Sequence, residues 1–396
     1  MGNFCEKNIS SIFLISVAFA ISDFLRSKIL TGFPWNIWSY SISWSIESLQ
    51  ILPIIGFFSL NILVITIFFL PSILFFKNKI KYLLIFSFIA LIFSNYFFGS
   101  YKINSVNRDD FPKKIDFKIV SAGIKLSDFK DEINVASKLI KYSEPDKKKK
   151  TIFVWPEGIF LSESFDKNKK IKSLFKENFS QNHLIILGAN TSENYNSKKT
   201  YFNSMILLDN NFNIISKYDK KKLVPFGEFL PFEKILKSMG LKKITPGYSS
   251  FSQGSGEPII NLKFNSDTIN ILSLICYEII FPSIIEKYKN FDLVINISED
   301  AWFGKSIGPH QHFAKAIFRS IESGTYTIRS ANKGISAFIS PEGKILKSLQ
   351  PEEIGNIELS VPLVKKTKKQ SKKDLIFLLL LITYISTFFV LRKLKI

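Results

Sequence analysis

A cysteine stands close to the end of an apolar run. Residues 271–282 read ILSLICYEIIFP, and this Ile- and Leu-rich run, interrupted by Cys276, Tyr277 and Glu278, is typical of a buried strand. A helical pattern begins at Pro282. A strand-to-helix corner lifts a side chain out of the sheet edge, which suits a nucleophile. A lone cysteine in an apolar strand is also commonly a small buried hydrophobe, so this segment alone leaves both interpretations open.

Charged side chains follow other apolar runs. Residues 151–160, TIFVWPEGIF, lead from a strand pattern through a proline, which stops the hydrogen-bonded ladder, to Glu157. Residues 217–230, KYDKKKLVPFGEFL, place three consecutive lysines directly before a turn-containing stretch that carries Glu228. Residues 296–304, NISEDAWFG, put an aspartate and a tryptophan in a loop after another strand pattern. Each has an ordinary interpretation: a carboxylate in a surface loop, or a charge run on a solvated face.

The composition bounds the class of protein. The chain has 396 residues, enough for one large domain or two ordinary ones, with 40 phenylalanines and a net charge of +20. Its lysines sit in short runs beside apolar segments and in loops, which argues against nucleic-acid binding. Cys5 and Cys276 lie at opposite ends of the predicted architecture, so no disulfide framework is implied. Three histidines without Cys/His ligand spacing argue against a structural zinc site.

Apolar segments at both ends of the chain predict membrane helices. Residues 1–100 form a predicted N-terminal membrane domain of about three spans, and a fourth span precedes the C-terminus. A cleaved signal peptide is the alternative for the first span, but that segment has no basic leading region and no small-residue cleavage site. The predicted spans are residues 9–25, 51–76, 82–98 and 375–391.

The basic loops predict the orientation. The loop 77–81 and the tail 392–396 are rich in lysine and arginine, so we expect both on the cytoplasmic side. The region 100–373 then lies on the other side of the membrane. The linker 365–374 is also basic, but it trails a large translocated domain, where the charge rule is weak, and its lysines can contact anionic headgroups.

Residues 115–364, after a linker at 101–114, have a different character. Short β-rich runs alternate with helical patterns, which predicts an α/β domain with a mixed sheet. The predicted strands are 117–123, 152–155, 184–188, 204–208, 259–264, 269–275, 293–297, 335–339 and 357–361, and the predicted helices are 128–142, 169–178, 232–239, 282–289 and 309–323.

Together these segments resemble a known family. Glu157 in WPE, Lys220 in YxKxxLVPFGE and Cys276 in CYE occur in the order and contexts of the nitrilase superfamily of carbon–nitrogen hydrolases. The flanking motifs are similar to those of one family within it, the apolipoprotein N-acyltransferases of bacterial inner membranes. The resemblance runs from about residue 10 to the C-terminus and includes LTGFPW (30–35), VWPE (154–157), KLVPFGEFLP (222–231), ICYE (275–278), DAWFG (300–304) and SIGPHQH (306–312).

The resemblance implies a fold and a reaction. The fold is an α/β, nitrilase-like αββα sandwich flanked by transmembrane α-helices. Glu157 acts as the general base, Cys276 attacks a phospholipid ester, and Lys220 stabilises the oxyanion. The resulting thioester passes its acyl chain to the α-amino group of a diacylglyceryl-cysteine, the last step of lipoprotein maturation. Since an ester is already activated enough to acylate a cysteine, no metal or cofactor is expected.

It also implies partners and a location. The partners are a phospholipid acyl donor, a diacylated apolipoprotein acceptor and membrane lipids, without nucleic acid, and the protein is expected to be a monomer. We expect a multi-pass protein of the bacterial inner membrane with the catalytic domain on the periplasmic side.

The family motifs suggest supporting residues as well. Lys220 is the relevant lysine because it lies eight positions before Glu228, as the motif requires. The predicted supporting residues are Glu228, Tyr277 and Glu278, and the predicted lipid pocket includes Phe33, Trp35, Trp302 and Phe303. Interfacial anchoring is the alternative for the first two aromatic residues of that pocket, and burial in the core is the alternative for the last two.

Three features depart from the family pattern. The family has more N-terminal membrane helices than this sequence predicts. Glu299 stands where the family usually has asparagine, and Phe129 stands near the place of a usual tryptophan. These departures concern the lipid pocket rather than the three reactive residues.

Two other functions remain open. A membrane-tethered amidase or hydrolase of the nitrilase type would pass the acyl group to water, but the LTGFPW motif and the several spans argue against it. A non-catalytic membrane scaffold would not need the Glu-Lys-Cys set. Transfer to an amine is therefore the leading hypothesis.

Overall fold

The computed structural model describes residues 8–105, 113–195, 198–232, 238, 250–264, 267–288, 290–363 and 372–394. The chain divides into two compact units. The helical unit comprises Met1–Asn107, Ile321–Gly324 and Lys368–Ile396, and the sandwich unit comprises Arg108–Ser320 and Thr325–Thr367.

The α-helices of the described residues are numbered in chain order. They are α1 (Ser11–Lys28), α2 (Leu52–Ile55), α3 (Phe57–Phe69), α4 (Ile80–Asn104), α5 (Glu132–Ser143), α6 (Lys169–Asn178), α7 (Pro282–Lys287), α8 (Gly308–Ser323) and α9 (Lys373–Lys393).

Three helices in the described ranges are long and apolar enough to cross a membrane. They are Phe57–Phe75, which is α3 with the 3₁₀ turn that follows it, α4 and α9. The predicted span 9–25 does form the helix α1, but α1 carries an aspartate, an arginine and a lysine within its 18 residues and is not among the three. The predicted span 51–76 begins later, at Phe57, because Gly56 has φ +85° and separates the short α2 from α3.

Apolar contacts and buried hydrogen bonds hold the helical unit together. Helices α1, α3 and α9 contribute to one cluster that includes Phe13, Ile62 and Phe388. Hydrogen bonds between buried polar side chains also connect its helices. The Thr66 hydroxyl lies 3.0 Å from the Tyr384 hydroxyl.

The strands of the sandwich unit form two six-stranded sheets. The first sheet has the order β12-β1-β2-β3-β4-β5, and the second has the order β11-β10-β9-β8-β7-β6. In each sheet, three neighbouring parallel strands are flanked by antiparallel ones. The strands are β1 (Lys114–Ser121), β2 (Thr151–Val154), β3 (His183–Tyr195), β4 (Lys198–Leu208), β5 (Ile214–Asp219), β6 (Ile259–Phe264), β7 (Asp267–Ile275), β8 (Leu293–Glu299), β9 (Tyr326–Asn332), β10 (Ser336–Ile339), β11 (Ile345–Leu349) and β12 (Gly355–Pro362).

Apolar side chains from both sheets form one shared core. Phe117 and Ile152 of the first sheet belong to the same buried cluster as Ile271 and Ile295 of the second. Helices α5 and α6 cover the outer face of the first sheet through a second cluster. On the second sheet, the Ser320 hydroxyl of α8 donates to the carbonyl of Ser340 at 2.8 Å. These layers confirm the predicted α/β sandwich with two sheets and flanking helices.

All nine predicted strands form, and three further strands of the described residues were not predicted. These are the edge strands β5 and β11 and the central strand β9. The predicted helix 232–239 lies largely outside the described residues, as do much of the linkers 101–114 and 365–374. The domain limits therefore stay predictions.

Candidate active site

Three strand ends place the predicted reactive residues. Glu157 follows β2, and Lys220 directly follows β5, both in the first sheet. Cys276 directly follows β7 of the second sheet and opens the 3₁₀ helix Cys276–Ile280. Its φ of +46° is in the left-handed region, which is uncommon for a residue other than glycine and is frequent at functional sites. The structure therefore brings the two sheets' strand ends to one site.

Lys220 lies between two carboxylates. Its ammonium donates to Glu228 Oε1 at 2.9 Å and to Glu157 Oε1 at 3.3 Å, and only 1% of Lys220 is exposed. Burial alone would lower the pKa of Lys220, but the charges of Glu157 and Glu228 raise it well above its usual value. Lys220 therefore stays a cation, which is the state needed to stabilise a developing oxyanion.

An asparagine joins the same two carboxylates. Asn203 on β4 donates through Nδ2 to Glu157 Oε1 and to Glu228 Oε1, both at 2.7 Å. The backbone N–H of Glu299 donates to Glu157 Oε2 at 2.9 Å, and the N–H of Val224 donates to Glu228 Oε2 at 2.8 Å. We call Glu157, Lys220 and Glu228 the Lys220 cluster. Each carboxylate oxygen in it accepts at least one hydrogen bond.

Cys276 rests as a thiol beside this cluster. Burial raises the pKa of Cys276 far above that of a free thiol, and the nearby charge of Glu157 raises it further. Lys220 and a hydrogen bond with Ser298 act in the opposite direction but do not reverse the shift. Since the thiolate is the nucleophile, a reaction at Cys276 requires the thiol to lose its proton, and Glu157 is the residue predicted to receive it.

Glu278 accepts hydrogen bonds from both the segment that leads to Cys276 and the segment that follows Lys220. Its Oε2 accepts the N–H of Ile275 at 2.9 Å, just before the cysteine. Its Oε1 accepts the N–H groups of Lys221 at 2.8 Å and Lys222 at 3.0 Å, and the Tyr218 hydroxyl at 2.7 Å. One buried carboxylate thus fixes the spacing between the loops that carry Cys276 and Lys220.

A second buried cluster holds the cysteine's backbone. Asp300 Oδ2 accepts from Arg329 Nη2 at 2.7 Å, and Asp300 Oδ1 lies 2.9 Å from His312 Nδ1. His312 Nε2 lies 3.2 Å from the Cys276 carbonyl oxygen, which can only accept, so a hydrogen bond between them requires a hydrogen on Nε2. Burial alone would raise the pKa of Asp300, but Arg329 and His312 hold it well below its usual value. We call Asp300, His312 and Arg329 the Arg329 cluster.

Glycine is required beside Glu157. A Cβ at Gly188 on β3 would lie 2.5 Å from the Cα of Glu157. The Gly188 N–H donates to the carbonyl of Pro156 at 3.0 Å, which fixes the backbone next to Glu157. A larger residue would force the backbone of Glu157 and Gly158 to shift.

Two regions of the chain match known family models. Residues 152–369 match the carbon–nitrogen hydrolase family model, and residues 2–70 match the model of the apolipoprotein N-acyltransferase N-terminal domain. The apolipoprotein N-acyltransferase of Rickettsia typhi is 32% identical over 91% of this chain and 72% of its own length. The chain belongs to the apolipoprotein N-acyltransferase family.

Other similarities are weaker. The apolipoprotein N-acyltransferase of Allorhizobium ampelinum is 29% identical over 87% of this chain and 66% of that protein. Among solved structures, a CN-hydrolase superfamily protein of Xanthomonas campestris has a TM-score of 0.43 at 14% identity, covering 63% of this chain and 90% of that one. Membership in the family confirms the resemblance seen in the motifs, and with the three long apolar helices it indicates a membrane protein.

The predicted pocket residues of this family member fall in both units. Trp302 is 50% exposed, and the Phe303 ring contacts the His312 ring with centroids 5.7 Å apart. Phe33 and Trp35 stack on each other, with centroids 6.3 Å apart, in the helical unit. A role for these four residues in lipid binding stays a prediction.

Tyr277 lies buried beside the cysteine. Its ring packs edge-on against Phe281, with centroids 5.1 Å apart. Burial raises the pKa of Tyr277 to about 12, so its hydroxyl keeps its proton. Its supporting role also stays a prediction.

The two residues that depart from the family pattern are both buried. Glu299 accepts hydrogen bonds from Asn332 Nδ2 at 2.9 Å and from the Ala301 N–H at 3.0 Å. Burial raises the pKa of Glu299 well above its usual value. Phe129 belongs to the apolar cluster under α5, so its side chain is part of the core.

Sequence reasoning missed three residues of the site. Asn203, Arg329 and Asn332 lie in strands, where a single polar residue gives little signal of its own. Within the described ranges, no group of three or more His, Cys, Asp or Glu side chains could hold a metal ion. The chemistry that the described residues support is proton transfer and nucleophilic attack.

Proposed function

We propose that the chain carries an acyl chain from a membrane phospholipid, through a thioester on Cys276, to the α-amino group of a diacylglyceryl-cysteine at a lipoprotein N-terminus. As a member of its family, the chain is an acyltransferase that acts on apolipoproteins and lipids. The observation that carries the proposed mechanism is the Lys220 cluster beside a protonated Cys276.

The first half-reaction acylates the cysteine. Glu157 takes the proton of the Cys276 thiol as the sulfur attacks the ester carbonyl of the phospholipid. The carbonyl oxygen becomes an oxyanion, and the Lys220 ammonium stabilises it. The C–O bond of the ester then breaks. The departing alkoxide takes the proton back from Glu157 and leaves as a lysophospholipid.

The second half-reaction acylates the lipoprotein. The free α-amino group attacks the thioester carbonyl, and Glu157 takes a proton from the attacking nitrogen. The C–S bond breaks as the amide forms, and the proton passes from Glu157 to the Cys276 sulfur. The enzyme returns to its resting state, so the two substrates bind in turn.

The membrane segments support the choice of substrates. Both proposed substrates are held in a bilayer, and the chain has three helices long and apolar enough to cross one. The basic loop 77–81 and tail 392–396 favour a cytoplasmic position for both, and hence a periplasmic position for the catalytic domain of a bacterial inner-membrane protein. We further propose that the enzyme works as a monomer.

The decisive experiment follows acyl transfer by mass. The purified full-length protein is incubated with phospholipid and a synthetic diacylated lipopeptide. We expect the peptide to gain one acyl chain on its amine and the wild-type protein to carry a transient acyl adduct. Cys276→Ala should abolish the adduct, while the matched control Cys5→Ala should retain it. Free fatty acid without acylated peptide would show the hydrolase, and neither product would show the scaffold.

A further inference from the structure

Asn203 occupies a central position among the charged groups of the site. It lies on β4, opposite Asn190 of β3, and only 7% of it is exposed. An amide NH₂ group has two hydrogens. In Asn203, Nδ2 lies 2.7 Å from Glu157 Oε1 and 2.7 Å from Glu228 Oε1, so each hydrogen serves one carboxylate.

Asn203 and Lys220 bind the same two oxygen atoms. The Lys220 ammonium donates to Glu157 Oε1 and Glu228 Oε1 as well. Two donors therefore alternate with two anionic oxygens around a closed ring. The charges in this ring do not balance, because two carboxylates share one ammonium. Two carboxylates that share a site tend to retain one proton between them unless hydrogen bonds favour both charged forms.

The orientation of the Asn203 amide is fixed by these contacts. The reverse orientation would place the amide oxygen against two carboxylate oxygens, and neither carboxylate oxygen can donate a hydrogen bond to it. In the observed orientation, Asn203 Oδ1 is buried and has no hydrogen-bond partner among the residues that the structure describes. A buried acceptor without a partner costs stability, so the amide is oriented for the two carboxylates at the expense of its own oxygen.

We infer that Asn203 is a positioning residue that holds the Glu157 carboxylate aligned beside Glu228, so that Glu157 can take the proton of Cys276. The inference rests on the proposed roles of Glu157 and Cys276. Asn203 donates to both carboxylates, as a second cation would, but it carries no charge. A second positive charge would bind Glu157 so strongly that it could no longer act as a base.

The test measures thioester formation in a single turnover as a function of pH. It uses the full-length protein in detergent and a phospholipid with a fluorescent acyl chain. Asn203→Ala should slow thioester formation about 10- to 100-fold at neutral pH, since hydrogen bonds to charged groups are the stronger ones. The acidic limb of its pH profile should move to higher pH, because the carboxylate has lost a donor that favours its charged form.

A second variant keeps the shape of the side chain. Asn203→Asp has the same size but can donate at most one hydrogen, so it cannot bridge two carboxylates, and it should also lose activity. The matched control is Asn190→Ala, which removes a buried asparagine from the neighbouring strand. Asn190 Nδ2 donates to the backbone carbonyl of Leu161 and not to a carboxylate. The control should stay within about threefold of the wild type, with an unshifted pH profile.

Several results would overturn the inference. Wild-type rates and pH profiles in both Asn203 variants would do so, and so would a slower rate with an unshifted acidic limb, which indicates a packing role only. Thermal unfolding of each variant checks that it is folded, and if Asn203→Ala unfolds, Asn203→Asp decides. If the wild-type protein itself forms no thioester, the proposed function has failed first, and that result is distinct from all of these.

Discussion

Two buried clusters of charged groups lie beside Cys276, and they differ in charge balance. The Lys220 cluster comes from the ends of first-sheet strands and holds two carboxylates on one ammonium. The Arg329 cluster comes from the second sheet and α8, and pairs one carboxylate with one guanidinium and an imidazole. Asp300 and Arg329 are fully buried, at 0% exposed. Burying charges is costly in either case, so each cluster must have a compensating role.

The two clusters also differ in the part of Cys276 that they affect most. The Arg329 cluster holds backbone, because His312 reaches the carbonyl of Cys276, whose φ is positive. The Lys220 cluster has the larger effect on the thiol. Beyond burial, the charge of Glu157 raises the pKa of Cys276 and that of Lys220 lowers it, while Asp300 of the Arg329 cluster raises it by less. We propose that the Arg329 cluster mainly holds the backbone of Cys276, and that the excess negative charge of the Lys220 cluster mainly tunes its thiol.

The largest expected effect is on the acyl-transfer rate. Glu157→Gln keeps the shape of the side chain but removes the proposed base, and should lower the rate of thioester formation by about 10²- to 10⁴-fold. The matched control is Glu163→Gln, since Glu163 pairs with Lys199 away from the cysteine. Single-turnover kinetics with labelled phospholipid measure both. A loss of less than tenfold in Glu157→Gln would remove Glu157 from the role of base.

The Arg329 cluster should affect stability more than chemistry. Arg329→Met leaves Asp300 buried without its guanidinium, and breaking a buried pair in this way costs about 3–5 kcal/mol. The free energy of unfolding in detergent with increasing denaturant measures the loss. Lys333→Met is the control, since the Lys333–Glu352 pair is exposed and should contribute at most about 1 kcal/mol. Equal losses in both variants would contradict the structural role of the cluster.

The sequence predicted the apolar strands well and the polar ones poorly. Strand β6 and helix α6 have the predicted bounds. The apolar residues recur with the period of a strand in β6 and with that of a helix in α6, and both patterns end at turn signals. Strand β9 was missed because its sequence, YTIRSAN, contains Arg329, and arginine is rarely buried without a partner. That partner is Asp300, 29 residues earlier, which the local pattern cannot reveal. The edge strands β5 and β11 were missed because their exposed positions dilute the apolar pattern.

The same limit applies to the site. Glu157, Lys220 and Cys276 could be found because they lie in motifs that follow strand ends. Asn203 lies within a strand, in YFNSMILL, and its importance comes from two carboxylates, 46 residues before it and 25 residues after it. Contacts between distant segments decide its role, and no spacing in the sequence records them.

The smallest expected effect distinguishes two proposed roles of Glu157. One is the effect of its charge on the pKa of Cys276, and the other is its transfer of the proton. Burial raises the pKa of Cys276, the charge of Glu157 raises it further, and Lys220 lowers it. At neutral pH the thiolate is therefore a small fraction, and a fall of one unit in the pKa increases that fraction about tenfold. Glu157→Gln should thus speed alkylation of Cys276 by iodoacetamide about tenfold, although it slows acyl transfer.

Lys220→Met should do the opposite and slow alkylation, because the cation that favours the thiolate is gone. The rates are read by mass spectrometry of the Cys276 peptide between pH 7 and pH 9, with Glu163→Gln as the control. If Glu157→Gln slows alkylation as well, Glu157 assists thiol ionisation mainly by removing the proton, and its charge is not what holds the resting thiol neutral. Opposite effects of one substitution on the two reactions would instead show that the excess negative charge in the Lys220 cluster keeps Cys276 unreactive until an ester carbonyl is in place.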